Sequence, residues 1–358
     1  RKRQERRWQD VLFLEKLVLI GKWGEISYFA YHSLIYFFYL FCLFSVLIEN
    51  IFLFLLLFGR IDRSREKEIM KNIISTVITV IVVFGLTMVG FLQGVSLDSN
   101  QIDTLIILSI IAGCSALYCF LIGEITKNTS QMDKFWSLLP IAYVWVIAIR
   151  GEMKPRLLMY AILVTLWGIR LTMNFARKGA YRLKFWEGKE DYRWAVLRKN
   201  PILGNKFVWP LFNLFFISIY QNALVLAITL PCLGIMSSTA SLMWVDFVAF
   251  ALAFLFLLLE TIADEEQWSF YKKRNALMKD GRKLEELPAP YNKGFNTKGL
   301  WSMIRHPNYC GEQGFWLSLY LFTIGAGICH FAIFHWTMIG PLFLVLLFLG
   351  SSSFGESV

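Results

Sequence analysis

Nine apolar runs alternate with polar connectors along this chain, and their spacing predicts an all-α protein. The runs cover 33–58, 73–92, 104–122, 138–149, 157–175, 207–230, 242–262, 315–330 and 331–350. Most approach the roughly 20 residues that a helix needs to cross a bilayer. Run 138–149 is short and needs Phe135 and Trp136 to reach that length. Glu49-Asn50 interrupts the first run, so those residues face protein or mark a break. Ahead of it, Trp8, Val11, Leu12, Glu15 and Leu19 fall at amphipathic spacing. They fit a helix lying on a membrane surface or, alternatively, a solvated tail. The predicted architecture is a polytopic membrane helix bundle of about seven core helices over 101–358. Segment 1–100 adds the amphipathic stretch and one or two further spans.

Charge orients these runs. The connectors 59–72, 123–137, 176–206 and 263–311 carry 5, 2, 9 and 9 Lys or Arg. Those at 93–103 and 234–241 carry none, and 150–156 carries three. The basic set is assigned to the cytosol. Five Lys or Arg among the first seven residues break the pattern if 33–58 spans. Either that run is re-entrant or a span precedes Arg1. With 56% hydrophobic and 17% charged residues and a mean hydropathy of +0.52, the composition excludes an ordinary soluble domain. The net charge of +10 sits between apolar runs, which is a topology signal and not a nucleic-acid footprint. The six Cys lie in or beside apolar runs with no Cys-x-x-Cys, so neither a disulfide framework nor a metal site is expected. The chain opens on Arg1 and closes on Val358, and both ends read as cut.

The candidate chemistry falls on the basic side. Gly299-Leu-Trp-Ser-Met-Ile-Arg305-His306-Pro307-Asn308-Tyr309-Cys310-Gly311-Glu312 predicts a helix starting near Asn308, with Pro307 suited to its first turn. The free N–H groups of that helix start, beside Arg305 and His306, form a site for a phosphate or pyrophosphate. The competing reading is an Arg–His cluster that anchors a helix end. Glu312 lies about one turn inside, where an ionisable group is a functional candidate. Asp133 stands at a helix entrance, as an N-cap or as a carboxyl that works on a substrate carbonyl. Arg170 lies within run 157–175, with Asn174 and Arg177 on the same face. It binds an anion or pairs internally, for example with Glu260. Glu260, Asp264 and Gln267 share a face, while Glu265 and Glu266 read as a solvated helix end. Lys272-Lys273-Arg274 suits either a phosphate or an anionic lipid surface.

Arg305-His-Pro-Asn-Tyr-x-Gly-Glu312, preceded by Gly-Leu-Trp, resembles the C-terminal block of the steroid 5-alpha-reductase-like membrane family. A shorter Arg-His-Pro-x-Tyr-x-Gly also marks isoprenylcysteine carboxyl methyltransferases, which share the scaffold. Met132-Asp-Lys-Phe-Trp-Ser, Leu166-Trp-Gly-Ile-Arg-Leu-Thr, Glu190-Asp-Tyr-Arg-Trp and Ile262-Ala-Asp-Glu-Glu-Gln-Trp resemble further blocks of the reductase-like family, in its order. Together they extend over about 101–358.

The resemblance implies a seven-helix bundle holding NADPH, open toward the cytosol. It places Asn308 and Glu312 near the nicotinamide and Asp264 near the adenosine part. Arg305, His306 and Tyr309 complete the expected cofactor set. Asp133 falls where reductases keep an acid for the substrate carbonyl, and Arg170 is the second catalytic candidate. There are two departures. The Tyr that partners that acid has no counterpart in Ile169-Arg-Leu-Thr-Met-Asn, and the family's block beyond Val358 is not in this chain.

The expected function is NADPH-dependent reduction of a C=C bond conjugated to a carbonyl in a steroid, polyprenoid or enoyl lipid. The lipid is expected to enter from the bilayer of the endoplasmic reticulum or another internal membrane. The alternatives are an S-adenosylmethionine-dependent lipid or isoprenylcysteine methyltransferase, and a non-catalytic sterol-binding membrane protein.

Overall fold

The computed structural model describes residues 95–279, 281–329 and 333–357, together with 85 and 86; the side chains of 353–357 are outside it. The predicted amphipathic segment, run 33–58 and nearly all of run 73–92 lie outside the described residues. What is described belongs to one compact, all-helical unit. Five of its helices are long and apolar enough to cross a membrane. They are α1 (Ser99–Thr126), α2 (Gln131–Arg150), α3 (Pro155–Arg177), α5 (Val208–Ile235) and α6 (Trp244–Met278). A short α4 (Tyr192–Leu197) lies in the connector before α5. The apolar helices α7 (Pro307–Tyr320), α8 (Phe322–Gly325) and α9 (Ile339–Ser357) follow. This is the architecture of an integral membrane protein.

Local sequence sets the helix ends. Asp98 and Gln101 form a reciprocal capping box at the start of α1, and Lys127 in the left-handed region closes it. Pro155 and Pro307 each occupy a first helical turn, where a missing N–H costs nothing. Two helix couples pack unusually closely. A Cβ on Gly168 would meet Ser137 O and Ile141 Cδ1 at 2.6 Å, so α3 lies directly on α2. A Cβ on Gly311 would meet Glu260 Cβ at 2.6 Å, so α7 lies directly on α6. Trp167 of α3 then stacks on Phe315 (centroids 6.1 Å) and meets Trp316 edge-on (5.0 Å), which joins the two couples in the core.

The two charge classes of connector gather at opposite ends of the bundle. At the end with few charges, Arg156 grips Asp246 through two bonds of 2.8 and 2.9 Å and also donates to Ala240 O, Ser241 O and Gly325 O. This buried pair has every neighbour satisfied and ties the starts of α3 and α6 to α8. At the basic end, buried Lys134 donates to Phe185 O (2.6 Å), Glu187 O (2.8 Å) and Gln131 Oε1 (3.3 Å). Glu190 accepts from Thr129 N and Oγ1 and from both terminal nitrogens of Arg198. The basic connector after α3 is therefore pinned onto α2.

Several elements differ from their apolar runs. α6 continues 16 residues past run 242–262, to Met278. Beyond the run it is held by buried Phe270, stacked on Tyr291 at 5.3 Å. α5 contains a π-helical segment, Asn213–Tyr220, along which Phe212, Phe216 and Tyr220 stack. α9 starts at Ile339 after a 3₁₀ turn, Trp336–Met338, because Pro341 is tolerated only in a first turn.

Candidate functional site

Arg170 is the centre of the basic half of the bundle. Its Nη2 donates to Glu260 Oε1 at 2.6 Å, and its Nη1 donates to Asp264 Oδ2 at 2.6 Å. Glu312 Oε2 lies 3.7 Å from Nη2. Arg170 retains 12% side-chain exposure, and Glu260 and Glu312 retain 5% and 4%. The internal pairing with Glu260 that the sequence offered as one alternative is therefore present. It does not exhaust the site. One guanidinium faces three carboxylates, and Arg170 Nε and Glu260 Oε2 are buried without a partner.

Each carboxylate is oriented by a second set of contacts. Glu312 accepts from the indoles of Trp167 (3.1 Å) and Trp316 (3.2 Å). Asp264 accepts from Asn174 Nδ2 at 2.8 Å, and Asn174 in turn accepts from Arg177 Nε at 2.9 Å. The polar stripe Arg170, Asn174 and Arg177 thus meets the stripe Glu260 and Asp264 across the α3–α6 contact. About one turn closer to the basic end, Gln267 Oε1 and Asn308 Oδ1 are also buried with no partner. Buried polar atoms are nearly always paired in a folded protein, so orphans on these adjoining helices mark hydrogen-bonding capacity that the chain itself does not use.

The 299–312 motif divides by depth. His306 stacks on Tyr309 (5.1 Å), and Tyr309 packs on Phe348 (4.6 Å) with its hydroxyl 3.4 Å from Ser351 Oγ. Arg305 is exposed at the entrance of α7, and no side chain caps that helix start. Glu312, five residues further on, belongs to the buried Arg170 cluster.

Asp133 has a different set of partners. It is the third residue of α2, and the N-cap position belongs to Ser130, so the capping alternative for Asp133 is not realised. Asp133 Oδ2 accepts from Trp194 Nε1 at 3.1 Å, and Oδ1 lies 3.8 Å from Arg193. The two catalytic candidates, Asp133 and Arg170, are therefore not bonded to each other. Lys178, just past α3, stands within electrostatic reach of Asp264, Arg177, Asp191 and Arg193. Burial pushes its ammonium below the usual lysine range. Burial also raises the Asp191 carboxyl, but Arg193, through its charge and hydrogen bonds, and Lys178 more than offset this and hold it low.

Two readings change. Glu265 pairs with Arg177, and Glu266 accepts from Leu300 N at 2.9 Å, so neither is a merely solvated helix end. Arg274 donates to Gly294 O at 2.8 Å and stacks on Tyr271, so the 272–274 run is in part structural. The residues that sequence reasoning passed over are Trp316, Lys134 and Lys178. Trp316 was within reach, because it sits one turn after Glu312 on the same face.

A family model described as a protein of unknown function (DUF1295) matches residues 119–356. The chain belongs to this family. DUF1295 includes steroid 5-alpha-reductase-like proteins. An uncharacterized protein of Schizosaccharomyces pombe is 34% identical over 263 residues, covering 68% of this chain and 72% of its own length. No solved structure matches the chain. The Arg170 cluster, Asp133 and the 299–312 motif all fall within the DUF1295 match.

Proposed function

We propose that this DUF1295 protein is an NADPH-dependent membrane reductase, acting on a C=C bond conjugated to a carbonyl in a lipid, and that it belongs to the steroid 5-alpha-reductase-like branch. The observation that carries the reading is the set of buried, unpartnered atoms at the basic end: Arg170 Nε, Glu260 Oε2, Gln267 Oε1 and Asn308 Oδ1. A nicotinamide carboxamide and ribose hydroxyls are donors and acceptors of the kind these atoms lack, so the residues present fit the group. Asn308, Gln267 and Glu260 would hold its polar edge, with Asp264 further along the same face. Lys178, Arg305 and His306 supply positive charge for its phosphates.

Bound NADPH supplies a hydride for the β-carbon of the conjugated system. The chain's own task is to stabilise the negative charge that then develops on the carbonyl oxygen. Both terminal nitrogens of Arg170 already donate to Glu260 and Asp264, which leaves Nε as its nitrogen without a partner. Asp133 Oδ2 already accepts from Trp194 and Oδ1 faces Arg193, so both of its oxygens are engaged by neighbours, an arrangement that suits a role in positioning. Of the two catalytic candidates, Arg170 is therefore assigned the oxyanion. Trp167 and Trp316 hold the Glu312 carboxylate in one orientation, which pre-organises the site.

The test is thermal unfolding of the purified protein with NADPH, NADH or S-adenosylmethionine. A ligand that binds only the native state at about 100 times its Kd stabilises by about 2.7 kcal/mol. NADPH is expected to raise the unfolding midpoint, and consumption of NADPH with an enone lipid is expected to follow. Stabilisation by S-adenosylmethionine alone assigns the methyltransferase reading instead. No response to either nicotinamide cofactor removes the reductase reading.

A further inference from the structure

A second polar cluster lies between α1, α2 and α5, and the Arg170 site does not use it. Ser115, Tyr143 and Asn222 are 7%, 0% and 1% exposed. The Cys119 thiol lies beside Ser115 and Asn222 and within electrostatic reach of Tyr143. Ser115 Oγ, Tyr143 OH and Asn222 Oδ1 are all buried with no oxygen or nitrogen partner, and the Cys119 thiol beside Ser115 and Asn222 is only a weak hydrogen-bonding group. The Asn222 amide nitrogen is already committed, donating to Met132 Sδ at 2.9 Å and to Ser218 O at 2.7 Å. Its oxygen is thereby fixed as an open acceptor.

Depth and local backbone bear on what these groups are for. Ser115 and Tyr143 lie 11 and 12 residues from the basic ends of α1 and α2, at Thr126 and Gln131. At 1.5 Å per residue this is roughly 16–18 Å, near the middle of a hydrocarbon core about 30 Å thick. Unpaired polar groups are costly there and point to function. Asn222 lies two residues past the end of the π-helical segment Asn213–Tyr220. Such segments insert a residue into the helical repeat, re-phase the next turn, and concentrate at functional sites. The charges that reach Cys119 are Asp133 and Lys134, toward the basic end, and none of the three orphaned groups is ionic.

Two hydroxyls and one amide oxygen, without charge, complement a neutral group that both donates and accepts. A hydroxyl does both: it donates to Asn222 Oδ1 and accepts from Tyr143 OH, with Ser115 Oγ beside them. An ionised headgroup would be buried here without a counter-charge, at a large cost. We propose that this cluster binds the hydroxyl of a neutral lipid alcohol whose hydrocarbon stays in the apolar interior. The inference does not rest on the reductase reading, because it involves no cofactor.

The experiment is thermal unfolding of the full chain in detergent, without cofactor, using three probes of one shape: farnesol, the hydrocarbon farnesene and the anion farnesoate. Farnesol is expected to raise the midpoint by several degrees, while farnesene and farnesoate do not. Tyr143→Phe and Asn222→Leu are expected to abolish the farnesol shift. The Tyr143→Phe midpoint without ligand should be no lower than the parent's, because the hydroxyl it deletes has no partner. This variant carries the test if Asn222→Leu does not fold. A photoreactive diazirine analogue of farnesol should label peptides of α1, α2 or α5, and excess farnesol should compete. The proposal is overturned if farnesol and farnesene stabilise equally, if Tyr143→Phe keeps the full shift, or if labelling falls on other helices. In those cases ordered water fills the cluster.

Discussion

Replacing Arg170 by Met tests the electrostatic account of the site most directly. The substitution keeps most of the side-chain volume and removes two 2.6 Å bonds, to Glu260 and Asp264, together with a cation 3.7 Å from Glu312. Removing one partner of a buried ion pair typically costs about 3–5 kcal/mol, because the remaining charge is left uncompensated. Here three carboxylates are left, all at most 12% exposed, so the upper part of that range is expected. The midpoint in detergent should fall by roughly 10 °C, taking about 2–4 °C per kcal/mol. Arg170→Lys should fall between parent and Met, since an ammonium does not fork between two carboxylates as a guanidinium does. The triple variant Arg170→Met, Glu260→Gln, Asp264→Asn should recover most of the loss, because it removes charge from both sides. The assay is heat-step treatment followed by size-exclusion chromatography of each variant without cofactor. A loss under about 1 kcal/mol for Arg170→Met, or a triple variant no better than the single, would refute the claim that this charge balance stabilises the bundle.

Three further outcomes follow from the same contacts. Gly311→Ala places a methyl 2.6 Å from Glu260 Cβ and should cost about 1–3 kcal/mol by forcing α6 and α7 apart, whereas Gly350→Ala, with open space around it, should leave the midpoint unchanged or slightly raised. Lys134→Met leaves the carbonyls of Phe185 and Glu187 without their donor, so limited proteolysis should cut first in the connector after α3 while the global midpoint moves less. Asp191 is held low in the folded state by Arg193 and Lys178 against the effect of burial, with Asp133 also facing Arg193. Its contribution should be complete above the ordinary carboxylate pKa of about 3.9 and be lost as pH falls through the folded value. Protease sensitivity of this connector, scanned from pH 6 down to pH 2, should rise at the acid end in the parent, and Asp191→Asn should flatten the profile.

The helices were legible because membrane spans announce themselves by length and hydropathy. Arg170, Asn174 and Arg177 were legible as a polar stripe, and so was the second stripe on α6, since 3.6-residue periodicity needs no tertiary information. Their mutual pairing was a single named alternative, confirmed at 2.6 Å. The end of α6 was not legible, because hydropathy marks where a helix leaves the membrane and not where it stops. The residues that sustain it, such as Phe270 on Tyr291, come from distant sequence. Nor did any local pattern mark the π-helical segment, whose contacts include Asn213 donating to Glu124 at 2.8 Å. Asp133 shows the same limit. Its position near a helix start was readable, but Ser130 holds the cap position, and Trp194 and Arg193, which engage Asp133, lie some 60 residues away.

The glycine contacts have a mechanical consequence. Gly168 presses α3 onto α2, and Gly311 presses α7 onto α6, so four helices behave as two stiff jaws with little freedom to slide within each. Any movement that widens the basic end must swing one jaw against the other. In the core they are joined by Trp167 on Phe315 and Trp316, and at the basic end the fastening is ionic: Arg170 projects from the first jaw into the carboxylates of the second. Opening the basic end and breaking those ion pairs are therefore one event.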